Sequence, residues 1–339
     1  MQTRMFREAA EAPHAVARQL ERNAAAVASL GAWLRAHRPR AVVTCARGSS
    51  DHCATFAKYL FETRLGVLTA SAAPSVASIY GARQDLDDCL FLAISQSGAS
   101  PDVVAAARAA RECGACVVAL VNDAASALAR EAHHALPLWA GEEKSVAATK
   151  SFIASLAGVI AIACAWSEDD AMRAALAKAP ADLERAWALD WGAAVGALRD
   201  ASHLYVIARG LGLGLAQEAA LKCKETCALH AESFSAAEVR HGPQALLGPQ
   251  FPALVFAQDD EARAGLEALG ADLARRGVAV LCAGATIEGA IALPCIEAHP
   301  AIAPMLLAQS FYRLADALAA ARGIDPDNPP HLAKVTRTT

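Results

Sequence analysis

The sequence predicts an α/β protein made of two tandem units, each a parallel β-sheet covered by helices on both faces. Three observations predict it. Apolar runs of strand length alternate with helical patterns, as in βα units whose strands are buried on both faces. The alternation gives way to helix from about 152 to 198 and then restarts. The second stretch also repeats landmarks of the first in the same order. Ala46-Arg47-Gly48 and Ala208-Arg209-Gly210 stand 162 residues apart, as do Gln96 and Gln258. "GACVVALV" and "ALPLW" return later as "GVAVLCAG" and "ALPCI". Four matches in one order predict a duplication of a single α/β unit.

In chain order, residues 7–36 form one or two helices with a start signal at Pro13. The strands of the first unit are "AVVTCA", "VLTASA", "CLFLAIS", "CVVALV" and "HALPLWA", each with a helical pattern after it. "FIASLAGVIAIACAW" (152–166) is too short to span a membrane and predicts a buried helix, with Pro180 breaking the helical stretch that follows. "LYVIARG", "FPALVFAQ", "VAVLCAG" and "AIALPCI" are the strands of the second unit. The expected organisation is a helical segment 1–36, a first domain 37–165, a helical linker 166–195, a second domain 196–325 and a tail 326–339.

A net charge of −4 provides no electrostatic footprint for nucleic acid. Residues 1–10 lack the apolar core of a signal peptide, so a cytoplasmic protein is expected. The close pair Cys113 and Cys116 closes a helix instead of opening one, which favours two buried small hydrophobes over a redox motif. His133 and His134 lack partners at metal-ligand spacing.

The most informative turn is "LFLAISQSGAS" (90–100), where an apolar strand ends in hydroxyls, an amide and a glycine just before a helix. Ligands in parallel α/β sheets bind beyond the carboxyl ends of the strands, and a helix N-terminus attracts anions. Helix capping by Ser97 or Ser100 is the plainer explanation. The duplicate turn, "AQDDEA", would repel a phosphate, so an anion site is expected in the first unit alone. "ARGSSD" (46–51) is a second turn of the same kind. "RGLGLGLAQEAALK" misses the dinucleotide fingerprint, because Leu215 stands where its third glycine belongs.

On the helix that follows, Glu218, Lys222, Glu225, Leu229 and Glu232 share one stripe at helical spacing. Such a stripe is either a solvated face laced by Glu–Lys pairs or part of a site. A polar loop, "HAESFSAAEVRHGPQAL", then closes on His241. A carboxylate and a histidine near a phosphate pocket are the parts needed to move protons on a sugar.

Together these motifs resemble the sugar isomerase (SIS) domain family, above all the double-domain isomerase half of the glutamine–fructose-6-phosphate aminotransferases. The likeness runs from "MFREAAEAPHAVARQL" through "GSS", "SQSGAS", "EEKSVAATKSF", "QEAALKCKE" and "HAESFSAAEVRHGP" to "NPPHLAK". A glutaminase domain with a terminal cysteine nucleophile is not expected. Arg47 replaces the cysteine of those aminotransferases, which is similar to stand-alone glucosamine-6-phosphate deaminases. The resemblance implies that Ser50, Ser95, Gln96, Ser97 and Ser100 hold a sugar phosphate and that Ser49 touches the sugar. Val146 and Ala148 would line the pocket, Ala148 standing where the aminotransferases have a serine. Glu225 would be the base acting between C1 and C2, with Lys222 beside it. His241 would open the ring from the other subunit of a homodimer, and Lys334 would form a Schiff base with the open-chain sugar. Neither a metal nor an organic cofactor is implied.

The expected reaction converts glucosamine 6-phosphate and water to fructose 6-phosphate and ammonia. Rival readings are a deglycase acting on a fructosamine 6-phosphate of an amino acid, and ammonia-dependent synthesis of glucosamine 6-phosphate. A sugar-phosphate-sensing regulator is the non-enzyme alternative; such regulators carry a DNA-binding segment or have lost the acid–base residues, and neither pattern is read here.

Overall fold

The computed structural model describes residues 2–334. The chain opens with α1 (Arg4–Ala10) and α2 (Ala12–His37). Pro13 lies in the first turn of α2, where a missing N–H costs nothing. Next come β1 (Ala41–Cys45), α3 (Ser49–Leu65), β2 (Thr69–Ser71), α4 (Ser75–Ser78) and β3 (Cys89–Ser95). They are followed by α5 (Pro101–Glu112), β4 (Cys116–Val121), α6 (Ala127–Glu131) and β5 (His134–Pro137). The helices α7 (Lys150–Ser167), α8 (Asp170–Ala188) and α9 (Gly192–Leu198) lead to β6 (His203–Ala208). After a single 3-10 turn come α10 (Leu213–Cys227), β7 (His230–Ser235), α11 (Ala236–Arg240) and β8 (Ala253–Phe256). The last elements are α12 (Arg263–Arg275), β9 (Val280–Ala283), β10 (Ile291–Leu293) and α13 (Ala303–Ala321).

These strands form two five-stranded sheets, ordered β2-β1-β3-β4-β5 and, from the corresponding edge, β7-β6-β8-β9-β10. Every pairing is parallel. The order is the same in both halves, as a duplicated unit requires. All seven residues of β3 are buried, so no polar alternation marks it: helices cover both faces.

The chain divides into two compact units. The first comprises Ala12–Lys144, Lys150–Ala177 and the tail from Ala333; the second comprises the residues up to Glu11, Ser145–Thr149 and Lys178–Leu332. This division cuts the chain differently from the expected boundaries: the first helix and the short "SVAAT" segment go with the second unit, the expected linker is split after Ala177, and the expected tail is split after Leu332. Residues 335–339 of the expected tail lie outside the described residues.

In the first unit, Phe91, Ala93, Val117 and Ala119 of the sheet pack with Val103, Ala107 and Ala110 of α5. On α7, both α2 and α3 pack. That helix is long and apolar enough to cross a membrane by composition, yet 83% of it is buried within the protein, as expected of a core helix. In the second unit, Leu266, Leu269 and Leu273 of α12 pack on Ile207, Val255 and Cys282. Each such leucine contributes roughly 1.5–3 kcal/mol through burial. The opposite side of that unit pairs α10 with α13.

Three expectations need correction. Pro180 lies inside α8 and does not break it, because strong helix formers on both sides outweigh one missing N–H. "HAESFS", expected as loop, is the edge strand β7. Consequently α10 ends at Cys227, and Leu229 and Glu232 leave the helical stripe. Cys113 and Cys116 are half-buried free thiols, and burial pushes Cys116 up to about 11.

Candidate active site

In the first unit, register aligns the ends of β1 and β3 by pairing Cys45 with Ala93. Two residues further on, one chain reaches Arg47 and the other Ser95, so "ARGSSD" and "SQSGAS" are neighbouring turns at the carboxyl edge of the sheet. Ser49 and Ser50 open α3 behind Gly48, whose positive φ of 54° favours glycine. Ser95 closes β3, and Gln96 and Ser97 are half-buried beyond it. Gly98 turns the chain at φ 61°, and a Cβ there would meet Ser126 Oγ at 2.2 Å. Only glycine fits.

The capping explanation fails at Ser100, which precedes α5 without a side-chain capping bond. The hydroxyls of Ser95 and Ser97 accept from the N–H groups of Gly98 (3.0 Å) and Ala99 (3.2 Å). An oxygen engaged as acceptor still has its own O–H to donate, which suits an anion. The bare helix terminus has less to offer than the sequence implies. Pro101 has no N–H, and that of Val103 is donated to Asp102 Oδ1 at 2.8 Å.

The second unit holds the paired Lys222 and Glu225. Lys222 is buried in α10, where its ammonium contacts Glu225 and lies 3.5 Å from Glu218. Tyr312 Oη donates to Glu218 Oε1 at 3.0 Å. Glu218 is fully buried, whereas the Glu225 side chain keeps 19% of its surface open. A face that dry is not the solvated stripe of surface pairs, because burying charges is tolerated only with close partners. Val146 and Ala148 are half-buried in the loop before α7, next to Ser145, whose N–H donates to Glu8 Oε2 at 3.0 Å. His241 is exposed at the end of α11.

Lys334 belongs to the first unit, where its ammonium lies 3.2 Å from Glu143 Oε2. Glu143 is buried and also accepts from Ser151 Oγ at 2.6 Å. This carboxylate was missed in the sequence, where "GEEKS" looks like a solvated loop. Asp102 was missed too: a first-turn acid is ordinary in a helix, and nothing local reveals its burial. Its Oδ2 accepts from Arg47 Nε (2.9 Å) and Nη2 (2.7 Å). Among the described residues, no three metal-type side chains converge.

The geometry therefore has two parts, a pair of hydroxyl-rich turns in one unit and a buried lysine paired with a partly exposed glutamate in the other. Comparison with known proteins agrees with both folds. The family model described as SIS domain matches residues 37–165 and 197–290. A glutamine–fructose-6-phosphate aminotransferase [isomerizing] of Aeropyrum pernix is 36% identical over 307 residues, covering 85% of this chain and 49% of its own. The corresponding protein of Zymomonas mobilis is 35% identical, with 86% and 51% covered. The chain thus spans about half the length of the curated relatives it matches. A solved protein from Silicibacter pomeroyi DSS-3, provisionally named a phosphosugar isomerase, is 46% identical with a TM-score of 0.93, covering 96% of this chain and all of its own. A glucosamine-6-phosphate deaminase of Thermotoga maritima shares the fold at 22% identity and a TM-score of 0.79, with 99% of this chain and 100% of that one covered.

Proposed function

The chain belongs to the SIS domain family, and from that membership we propose that it is an amino-sugar phosphate isomerase that deaminates its substrate. Glucosamine 6-phosphate and water become fructose 6-phosphate and ammonia. The observation that carries this reading is the Lys222–Glu225 pair, a buried ammonium holding a carboxylate that remains reachable.

In the proposed mechanism, the hydroxyls of Ser50, Ser95, Ser97 and Ser100 and the Gln96 amide bind the phosphate, and Ser49 touches the sugar. Val146 and Ala148 border the sugar through their backbone, since Ala148 has no polar side chain. His241, donated by the second copy of a homodimer, assists ring opening. Glu225 takes the proton from C2 and returns it at C1, leaving a C2 imine with the amine nitrogen still attached. Water adds to that carbon, ammonia departs, and the ketose remains. A positioned general base contributes roughly 10²–10⁴-fold to such a proton transfer. Lys334, with its side chain half-buried and its amine on Glu143, is the group available to hold C2 of the open-chain keto sugar as a Schiff base, which water then hydrolyses to free the lysine.

Support for the hydrolytic direction comes from Arg47, which stands where the related aminotransferases have a cysteine. Support for amino-sugar phosphates comes from the relatives' names, which couple an amino group to a hexose phosphate. The deciding experiment is an ammonia-release assay against a panel of amino-sugar phosphates. Release from glucosamine 6-phosphate is expected, with fructose 6-phosphate as co-product. A chain that isomerises other phosphosugars but releases no ammonia would refute the deaminase reading and leave the isomerase standing.

A further inference from the structure

The two turns offer a bound phosphate little positive charge. Their side chains include hydroxyls, which carry no charge, an amide and two acids, Asp51 and Asp102. In the segments 46–51 and 95–102, Arg47 is the lone cation. The N-terminus of α5 adds little, because Pro101 has no N–H and Val103 is engaged with Asp102.

Arg47 is held in a definite pose. Its Nε and Nη2 both donate to Oδ2 of Asp102, whose side chain is fully buried while that of Arg47 is half exposed. Asp102 follows Ser100 by two residues, so the ion pair ties the "ARGSSD" turn to the "SQSGAS" turn. A guanidinium has five N–H donors. Two are spent on Asp102, which leaves three on a side chain that is half exposed. The duplicated half provides an internal contrast. Arg209 occupies the place of Arg47, but Ala264 stands where Asp102 would be, and the intervening turn carries Asp259, Asp260 and Glu261. The hydroxyls and the buried carboxylate are thus both present in one half and both lacking in the other.

We propose that Arg47 is a further substrate-binding residue: Asp102 fixes its guanidinium, and the remaining N–H groups bind the substrate's phosphate between the two turns. Asp102 is then a positioning residue that never touches the sugar. This inference rests on the phosphate reading of these turns, and it commits to a direct charge-assisted contact.

The test is calorimetric titration of glucosamine 6-phosphate and inorganic phosphate into the parent protein and the variants Arg47→Met, Arg47→Lys, Arg47→Met/Asp102→Asn and Ser97→Asp. Arg47→Met is expected to weaken both ligands at least about tenfold, the minimum for losing one charge-assisted hydrogen bond. Arg47→Lys should fall between, because a lysine keeps the charge but cannot serve Asp102 and phosphate with a planar fork. The double variant removes the buried carboxylate together with its partner, so it folds even where Arg47→Met does not, and it is expected to remain weak. Affinity within twofold of the parent in Arg47→Met, with Ser97→Asp impaired, would overturn the role of Arg47 while sparing the phosphate site. Parental affinity in the double variant would also overturn it, reducing Arg47 to a neutraliser of Asp102. A parent protein that binds neither ligand, or a Ser97→Asp variant that binds both normally, would instead remove the phosphate reading itself.

Discussion

Lys222 and Glu225, three residues apart on α10, form an ion pair in which the lysine side chain is 1% exposed and the glutamate side chain 19%. One partner is locked in the interior while the other meets solvent. That asymmetry suits a base held in place from behind. Glu225→Gln preserves the shape and removes the base. Glucosamine 6-phosphate should still bind, and turnover should fall by at least about a hundredfold. Exchange of the C2 hydrogen with solvent deuterium, followed by NMR, should vanish with ammonia release. Near-normal turnover would make the pair purely structural.

Lys222→Met should unfold more readily than the parent. It takes the Lys222 ammonium away from the buried Glu218 carboxylate, which also accepts from Tyr312. Breaking a buried pair from one side costs about 3–5 kcal/mol. Urea denaturation should register that loss, and adding Glu218→Gln should restore most of it. A single variant as stable as the parent would contradict the burial of this pair.

Ser97→Asp should weaken sugar-phosphate binding severely while leaving the fold intact. The duplicate turn already carries Asp259 at the equivalent place. A carboxylate facing a phosphate dianion in a partly buried turn costs several kcal/mol, about that of an unpaired buried charge. An unchanged KM would remove "SQSGAS" from the site.

Mixing inactive Glu225→Gln with inactive His241→Asn chains should restore part of the activity. His241 is exposed at the end of α11, where another copy can take it up. Mixed dimers that form, shown by differently tagged chains, and stay inactive would end the crossed-site proposal.

Stability should respond to pH through Asp51 in the first turn of α3. Burial raises its carboxyl above the ordinary 3.8, against the pull of His52 and Arg47. An acid whose folded-state value is raised binds protons more tightly when folded, so ionising it costs stability as pH climbs above 3.8. Asp51→Asn removes that cost. Its melting temperature should exceed the parent's at neutral pH, with the gain shrinking as pH falls toward 4. A gain independent of pH would mean that ionisation of Asp51 is not its source.

Local patterns carried most of the architecture. Apolar runs bounded by glycine and polar turns located nine of the ten strands among the described residues, the inner ones most plainly, because a strand buried on both faces has a continuous apolar signature. The edge strand β7 escaped, since its exposed and half-buried positions accept Glu232, Ser233 and Ser235 and leave no apolar run. The duplication was legible because equivalent turns keep equivalent residues, and the identical strand orders agree with it. The hydroxyl turns were legible for a related reason. Their hydroxyls contrast with the acids of their own duplicate.

What the sequence determined by itself, then, is the order of elements, the repeat and the residue types at each turn, all of which are encoded within a few residues. What tertiary structure alone decided is which charges meet. Arg47 finds Asp102 across 55 residues, Lys334 finds Glu143 across 191, and Tyr312 finds Glu218 across 94. Burial decided it as well. The stripe Glu218, Lys222 and Glu225 reads the same on a wet face or a dry one, and only packing makes it dry. The physical reason is that periodicity and turn preference act between near neighbours, whereas desolvation and ion pairing depend on which distant segments the sheet brings side by side.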